Sequence, residues 1–299
     1  MFGKRPDGSR VKGIDPIVQF TPYIMPHRYD AMVNTKQELD FDQMTRYIRD
    51  KRREGYQVTH MGMIIAAYIR MLCDYPEMNR FVVNSKLYAR NHFCVSFVTL
   101  RKTPDDSVEE SLCKVYFNLD DTIFDVSARL AEAIEKARVP EAVNSTDALA
   151  RTLMKVPYLP NFIVFLARHL DNHGLMPRII HEASPFHTGL FISNMASLGM
   201  NYIYHHIYDF GTTSLFITMG KTEQKIYLNN DGTGRSKRVM PVGVVIDERI
   251  ASGGIFARMF SLVVKYLNNP ELLESPPDHI KTEVDMVPAP AVNRTGAAL

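Results

Sequence analysis

Cysteine is scarce in this chain. Cys73, Cys94 and Cys113 are the three among 299 residues, an odd number at wide spacing. They form neither a disulfide framework nor a metal knuckle, so a reducing, cytoplasmic setting is expected. Long apolar runs are missing as well. The longest, Tyr158–Leu166, contains Pro160 and Asn161 and is far too short to span a bilayer. The opening residues, MFGKRPDGSR, lack the apolar stretch of a signal peptide. Neither sign of charge dominates: 35 Lys and Arg stand against 33 Asp and Glu, a net +2. That balance argues against a nucleic-acid surface, and the short run Lys51-Arg52-Arg53 reads as a solvated helix face. Neither a membrane nor a nucleic acid is expected as a partner.

What is present is enough apolar residue, 45%, for one large domain or two small ones. Residues 1–37 read as a mixed, Pro-rich arm with one short helix. Asp40 or Asp42 can cap a helix through Glu54, and Thr59 can cap the next, MGMIIAAYIRMLCDY. The latter is apolar nearly all round, which predicts burial on most sides. Lys86–Ala89, Phe93–Leu100 and Lys114–Asn118 read as strands, the second apolar on both faces and so central. Asp120 or Asp121 precedes an amphipathic helix carrying Ile123, Val126, Leu130 and Ile134. Residues 145–173 read as helical, broken near Pro157 and Pro160. Four more strands follow, at Gly189–Asn194, Ser214–Met219, Lys225–Leu228 and Pro241–Ile246, with a hairpin signal at Asn230-Asp231-Gly232. Ile255–Leu267 is the last helix. Interleaved helices and strands without a repeat predict one α/β domain with a mixed sheet.

Three blocks carry a family resemblance. Val242–Leu273 reads VGVVIDERIASGGIFARMFSLVVKYLNNPELL. It resembles the active-site segment of the dihydrolipoamide acyltransferases of 2-oxoacid dehydrogenase complexes, a strand followed by Asp-His-Arg-x-x-Asp-Gly and a helix ending Asn-Pro-x-x-Leu-Leu. Asp247, Arg249 and Gly253 stand at their motif positions, while Glu248 holds the place of the catalytic His and Ser252 that of the second Asp. The block Thr59–Ala89 is similar to the family's helix, Pro-Glu-x-Asn and hairpin; GLFISNMAS, Gly189–Ser197, resembles its Ile-Ser-Asn segment. The resemblance covers residues 38–274, apart from an unmatched helical insertion over 138–183. It leaves 275–299 as a tail, expected to lie along its own or a neighbouring subunit through Ile280, Val284, Met286 and Val287.

The resemblance implies a chloramphenicol acetyltransferase-like α/β fold, a two-layer sandwich with a mixed sheet. It implies a homotrimer, or a larger cubic or icosahedral cage of trimers, with sites between subunits. It also implies chemistry in three parts. A neutral imidazole takes the proton of the CoA or dihydrolipoamide thiol. A hydroxyl, here Ser193 beside Asn194, steadies the oxyanion. A narrow channel keeps water out. CoA or an acyl-CoA is the expected substrate, with no covalently bound cofactor. No lipoyl domain or Ala-Pro linker precedes the domain in this sequence, so a tethered swinging-arm substrate is not expected.

The replaced base leaves several readings open. An unperturbed carboxylate, pKa about 4.3, is a poor base for a thiol of about 8.5, though burial raises some catalytic Glu residues. Glu248 is then either the base of an atypical acyltransferase or one half of an ion pair with an Arg in a vestigial site. His187, His205 and His206 are the candidates for taking over its role. HHIYDFG, His205–Gly211, resembles the His-His-x-x-x-Asp-Gly of condensation domains, with Asp209 one residue early. His187 reads as a surface residue. His169 and His173 share a helix face but lack a third ligand, so no metal site is expected. The functional readings are an acyltransferase, a silent oligomeric scaffold, or a module that holds CoA or an acyl thioester without turning it over.

Overall fold

The computed structural model describes residues 4–102, 108–138, 155, 157–229 and 231–291. In chain order, β1 (Lys4–Arg5), β2 (Gly8–Arg10), α1 (Pro16–Ile24) and β3 (Met32–Asp40) lead into α2 (Phe41–Arg53) and α3 (His60–Leu72). Four strands follow: β4 (Arg80–Val83), β5 (Lys86–Arg90), β6 (Phe93–Lys102) and β7 (Val108–Phe117). Then come α4 (Ile123–Arg138), α5 (Leu159–Asn172), α6 (Arg178–Ala183), β8 (Leu190–Asn194), β9 (Leu215–Met219), β10 (Glu223–Leu228), β11 (Gly234–Asp247) and α7 (Gly253–Asn268). Of the expectations above, residues 139–154 and 156 of the insertion, Asn230 of the turn and 292–299 of the tail lie outside the described residues.

The main sheet has seven strands, ordered β10-β11-β9-β8-β6-β7, with β3 beside the second half of β11. β8 runs parallel to β6 and β9, and the other pairs are antiparallel, so the sheet is mixed as expected. A core that includes Phe97, Ile192, Ile217 and Val244 of the sheet and Ile65, Val126 and Met259 of the helices joins the two layers. The opposite face carries a smaller cluster of Phe191, Phe216 and Val245, covered by Ile207 from the segment 201–209. That segment lies so close to the strands that a Cβ on Gly243 would strike the Ile203 carbonyl, and one on Gly220 the Tyr202 nitrogen. These two glycines set the distance between the segment and the sheet.

Local chemistry explains the helix starts. The Asp40 side chain accepts from Gln43 N (3.0 Å) and Thr59 Oγ1 from Gly62 N (3.0 Å), satisfying first-turn donors. α3 is buried from Gly62 to Leu72, as its all-round apolar sequence predicts. α4 starts at Ile123, just after Asp120 and Asp121, as expected. Thr122 caps it: Asp125 N donates to Thr122 Oγ1 and Thr122 N to Asp125 Oδ2, a reciprocal pair. Asp121 takes Arg129 Nε at 2.7 Å. Pro160 lies in the first turn of α5, where its missing N–H costs nothing.

The boundary expected at residue 38 falls inside a strand. β1 and β2 join β5 and β4 in a second, four-stranded sheet, and β3 pairs with β11 from Met32 to Asp40. The β4–β5 hairpin turns at Asn84 and Ser85, both with positive φ (49° and 53°), as a two-residue hairpin turn requires.

The tail runs over its own chain. Lys281 N donates to Cys73 O (3.0 Å), Ala289 N to Asn118 Oδ1 (2.7 Å), and Arg80 Nε to Glu283 Oε2 (2.8 Å). Met286 packs on the core, whereas Ile280 and Val287 are exposed. Polar bonds therefore hold the tail more than the apolar contacts expected of it. Deleting 276–299 removes Glu283 from the buried Arg80 guanidinium and leaves it only the Ile250 carbonyl (3.2 Å), at a cost of about 1.5–3 kcal/mol. For a chain of this size that is a fall of roughly 3–12 °C in Tm, measurable by calorimetry; an unchanged Tm contradicts the assignment. Among the described residues no helix is long and apolar enough to cross a membrane.

Candidate active site

β11 ends at Asp247, a single 3-10 turn spans Glu248–Ile250, and α7 begins at Gly253. Asp247 is fully buried. Its carboxylate accepts from Arg249 Nε (2.8 Å) and Nη2 (2.7 Å), with Arg28 Nε 3.5 Å away. Arg249 Nη1 also donates to the carbonyls of Met25 (3.0 Å) and Pro26 (3.2 Å). Arg28 donates to Tyr208 O (2.5 Å), Val82 O (3.2 Å) and Gly211 O (3.1 Å). Burial draws the Arg28 guanidinium below its usual range, against the pull of Asp247. Two arginines and one carboxylate thus tie the motif turn to the N-terminal segment, β4 and the loop at 208–211.

Glu248 is outside this knot. It is half-buried and makes no hydrogen bond or ion pair with the described residues. The ion pair with Arg249 weighed from the sequence does not form, because Asp247 takes that guanidinium. Ser252 precedes α7, exposed, and its hydroxyl caps nothing. Gly253 is exposed, with open space where a Cβ would stand. No second carboxylate replaces the motif's Asp at this turn.

Ser193 and Asn194 end β8. Ser193 is half-buried and its Oγ lies 3.5 Å from Met195 Sδ; Asn194 is exposed, its carbonyl accepting from Ser197 Oγ (2.6 Å). The register sets Ser193 beside Thr218, and Thr218 beside Gly243. Glu248 lies five residues beyond Gly243 at the other end of the sheet, about 16 Å along the strand and two strand spacings across. One chain alone does not bring Ser193 and Glu248 together.

The three histidines part company. His205 lies on the sheet face that Ser193 shares with Phe191. Its ring stacks on Phe216 at 4.1 Å, and Phe216 stacks on Phe191 at 4.7 Å. His205 Nδ1 donates to the His206 carbonyl (2.8 Å), and burial lowers its pKa, so the ring is neutral with Nε2 free to accept. His206 is exposed. His187, expected at the surface, is 1% exposed, because the Pro185–Gly189 turn carries it under β6 and beside Asp171. His169 and His173 are exposed, and His173 Nδ1 donates to the His169 carbonyl (2.7 Å).

A second cluster has no signal in the sequence. Cys94, His92 and Lys114 gather with His181, His187 and Asp171 at the β6–β7 edge. Burial pushes the Cys94 thiol up, but His92, Lys114 and Arg90 outweigh it and bring it to about 6. Lys114 Nζ donates to the carbonyls of His181 (2.7 Å) and Ser184 (3.1 Å). These residues come from four separate stretches of chain, so no local spacing could announce them.

No protein-family model matches the sequence, and no curated protein does. Solved structures do match. A probable dihydrolipoamide acetyltransferase from Listeria monocytogenes superposes at a TM-score of 0.53 and 12% identity, over 88% of this chain and 95% of that one. The cubic core of the pyruvate dehydrogenase multienzyme complex gives 0.54 and 13%, over 89% and 94%. A truncated catalytic core of the 2-oxoacid dehydrogenase multienzyme complex from Thermoplasma acidophilum gives 0.52 and 12%, over 88% and 99%. At such identities the likeness is one of fold. The chain therefore has the fold of the dihydrolipoamide acyltransferase cores, the chloramphenicol acetyltransferase-like sandwich with a mixed sheet.

Proposed function

We propose that this protein is an oligomer of acyltransferase fold in which acyl transfer from CoA or dihydrolipoamide through the position of Glu248 is lost. The observation behind this reading is the isolation of Glu248. A proton acceptor needs a fixed orientation toward its thiol, and Glu248 has no bonded partner to fix it. Ser252 adds no ion pair to brace the turn.

Assembly belongs to the same reading. Tyr158, Phe162, Val164 and Phe165 at the start of α5 are all more than half exposed in the single chain, an apolar area that a monomer seldom leaves open. The separation of Ser193 from Glu248 also fits a site at a subunit boundary, where one chain supplies each end. Sedimentation equilibrium is expected to give a trimer or a multiple of three; a stable monomer at micromolar concentration contradicts this.

His205 favours a second reading, in which the free Nε2 on the face of Ser193 serves as the base and Ser193 as the oxyanion donor. Thiol release from acetyl-CoA separates the two. Under the first reading wild type, Glu248→Gln and His205→Gln all give the buffer rate. Release that falls about 10²–10⁴-fold in His205→Gln establishes the second reading. The same fall in Glu248→Gln restores the carboxylate as base and refutes the first. Calorimetric titration of the same sample with CoA shows whether thioester binding persists without turnover.

A further inference from the structure

We propose that Asp171, His181 and His187 form a binding site for a divalent transition-metal ion of the zinc class, open on one side to a solvent-connected cavity. Asp171 lies in the last turn of α5, His181 on α6, and His187 just before β8. Two of the three come from the stretch that has no counterpart in the family resemblance. All three are buried, at 4%, 5% and 1% exposure.

The geometry fits an ion. His187 Nε2 is 3.4 Å from Asp171 Oδ2, and His181 Nε2 is 3.4 Å from Asp171 Oδ1. The three residues each offer a ligand atom, all within 4.8 Å of one another. Tetrahedral zinc with bonds of about 2.0–2.1 Å sets its ligand atoms about 3.4 Å apart. The imidazole rings meet nearly edge to face, 4.4 Å between centroids, so neither blocks the other's nitrogen.

The hydrogen-bond pattern supplies the second argument. His187 Nε2 and both ring nitrogens of His181 are buried without a hydrogen-bond partner. Such orphaned polar atoms are rare and costly, and a shared cation would satisfy one on each ring. The outer contacts already orient the ligands. Ser184 Oγ meets His187 Nδ1 at 2.8 Å, and Arg5 Nη2 holds Asp171 Oδ1 at 2.5 Å, leaving Oδ2 toward His187. Arg5 is itself anchored on Asp7 at 2.8 Å.

Both histidines line a cavity of about 390 Å³ shared with Asp7, His92, Lys114 and Tyr116. Three protein ligands and an open fourth position leave room there for water or a small anion. Arg5 and Lys114 make the surroundings cationic, so coordination by imidazole, not net negative charge, has to drive binding. Calcium and magnesium, which want six or more oxygens, find only the carboxylates of Asp171 and of Asp7, the latter held by Arg5, and are disfavoured.

The test uses the full chain, dialysed against chelator and then against buffer. Titration with Co²⁺ is expected to show about one equivalent per chain, with the visible ligand-field bands of a four-coordinate ion, and Zn²⁺ is expected to displace it. Mg²⁺ is expected to leave the spectrum unchanged. His181→Gln and His187→Gln should each weaken Co²⁺ binding by more than about tenfold, while the surface double change His169→Gln with His173→Gln should leave it intact. Circular dichroism identifies a variant that fails to fold, and the other then carries the comparison. Absence of stoichiometric Co²⁺ and Zn²⁺ binding in wild type overturns the proposal without any variant. So does binding that survives loss of either buried histidine, or that disappears with the surface pair.

Discussion

Asp247→Ala is expected to be among the most damaging single changes in the chain, while Glu248→Gln beside it is expected to be nearly silent. Asp247 is fully buried and holds Arg249 through two side-chain bonds, with Arg28 close by. Removing the carboxylate leaves two buried guanidinium groups uncompensated, at a cost of about 3–5 kcal/mol. That corresponds to a fall of roughly 6–20 °C in Tm. Asp247→Asn keeps the volume and one acceptor and should fall between. Glu248 has no partner to lose, so Glu248→Gln should stay within about 0.5 kcal/mol of wild type. Thermal melts of the three variants decide the matter, and equal losses at 247 and 248 contradict the buried-knot account.

Acidification of chelator-treated protein from pH 6.5 to about 4 is expected to cost roughly 3 kcal/mol through His181 alone. Burial lowers its folded pKa to about 4, with His187 and Arg5 adding to the effect and Asp7 and Asp171 opposing it. An unfolded chain has His near 6.5. In that window the unfolded state binds the proton and the folded state does not, so each step down in pH favours unfolding. The stability is complete above pH 6.5 and its loss is complete once the pH falls through about 4. His60 and His205 are also lowered by burial, so the raw slope exceeds the share of His181. The difference between wild type and His181→Gln isolates that share. Parallel curves for the two proteins would show that His181 carries no such penalty.

The parts of the fold legible in the sequence were those written locally. Asp40 and Thr59 cap helices by side-chain bonds three residues ahead, and α3 is apolar on every side because it is enclosed on every side. The spacing of Asp247, Arg249 and Gly253 marked the turn from β11 into α7. β3 was not legible. Its Asn34-Thr35-Lys36-Gln37-Glu38 has no apolar alternation, since its place is fixed by backbone pairing with β11. The four residues of β4 are too short to read from their own pattern and their turn at Asn84-Ser85 lacks the glycine that signals a hairpin, so the resemblance of Thr59–Ala89 alone implied one.

The candidate site was legible as a motif but not as a geometry. The sequence offered Arg249 to Glu248, next to it in the chain. A neighbour's side chain points elsewhere, and Asp247, two residues away, takes both nitrogens instead. Nor could spacing reveal that Ser193 and Glu248 lie at opposite ends of the sheet, because that follows from the register of three strands. His187 read as a surface residue; its burial depends on Asp171 and His181, brought in by helices with no motif of their own.

The most direct measurement is the rate of free-thiol release when the wild-type protein is given acetyl-CoA and dihydrolipoamide near neutral pH. On the proposed reading, Glu248 stands where the resemblance puts an imidazole base, and the loss of a positioned base forfeits about 10²–10⁴-fold. The predicted result is the rate of buffer alone. Release well above that rate, from protein shown by sedimentation to be assembled, would contradict the central claim that this acyltransferase fold has lost its transfer chemistry.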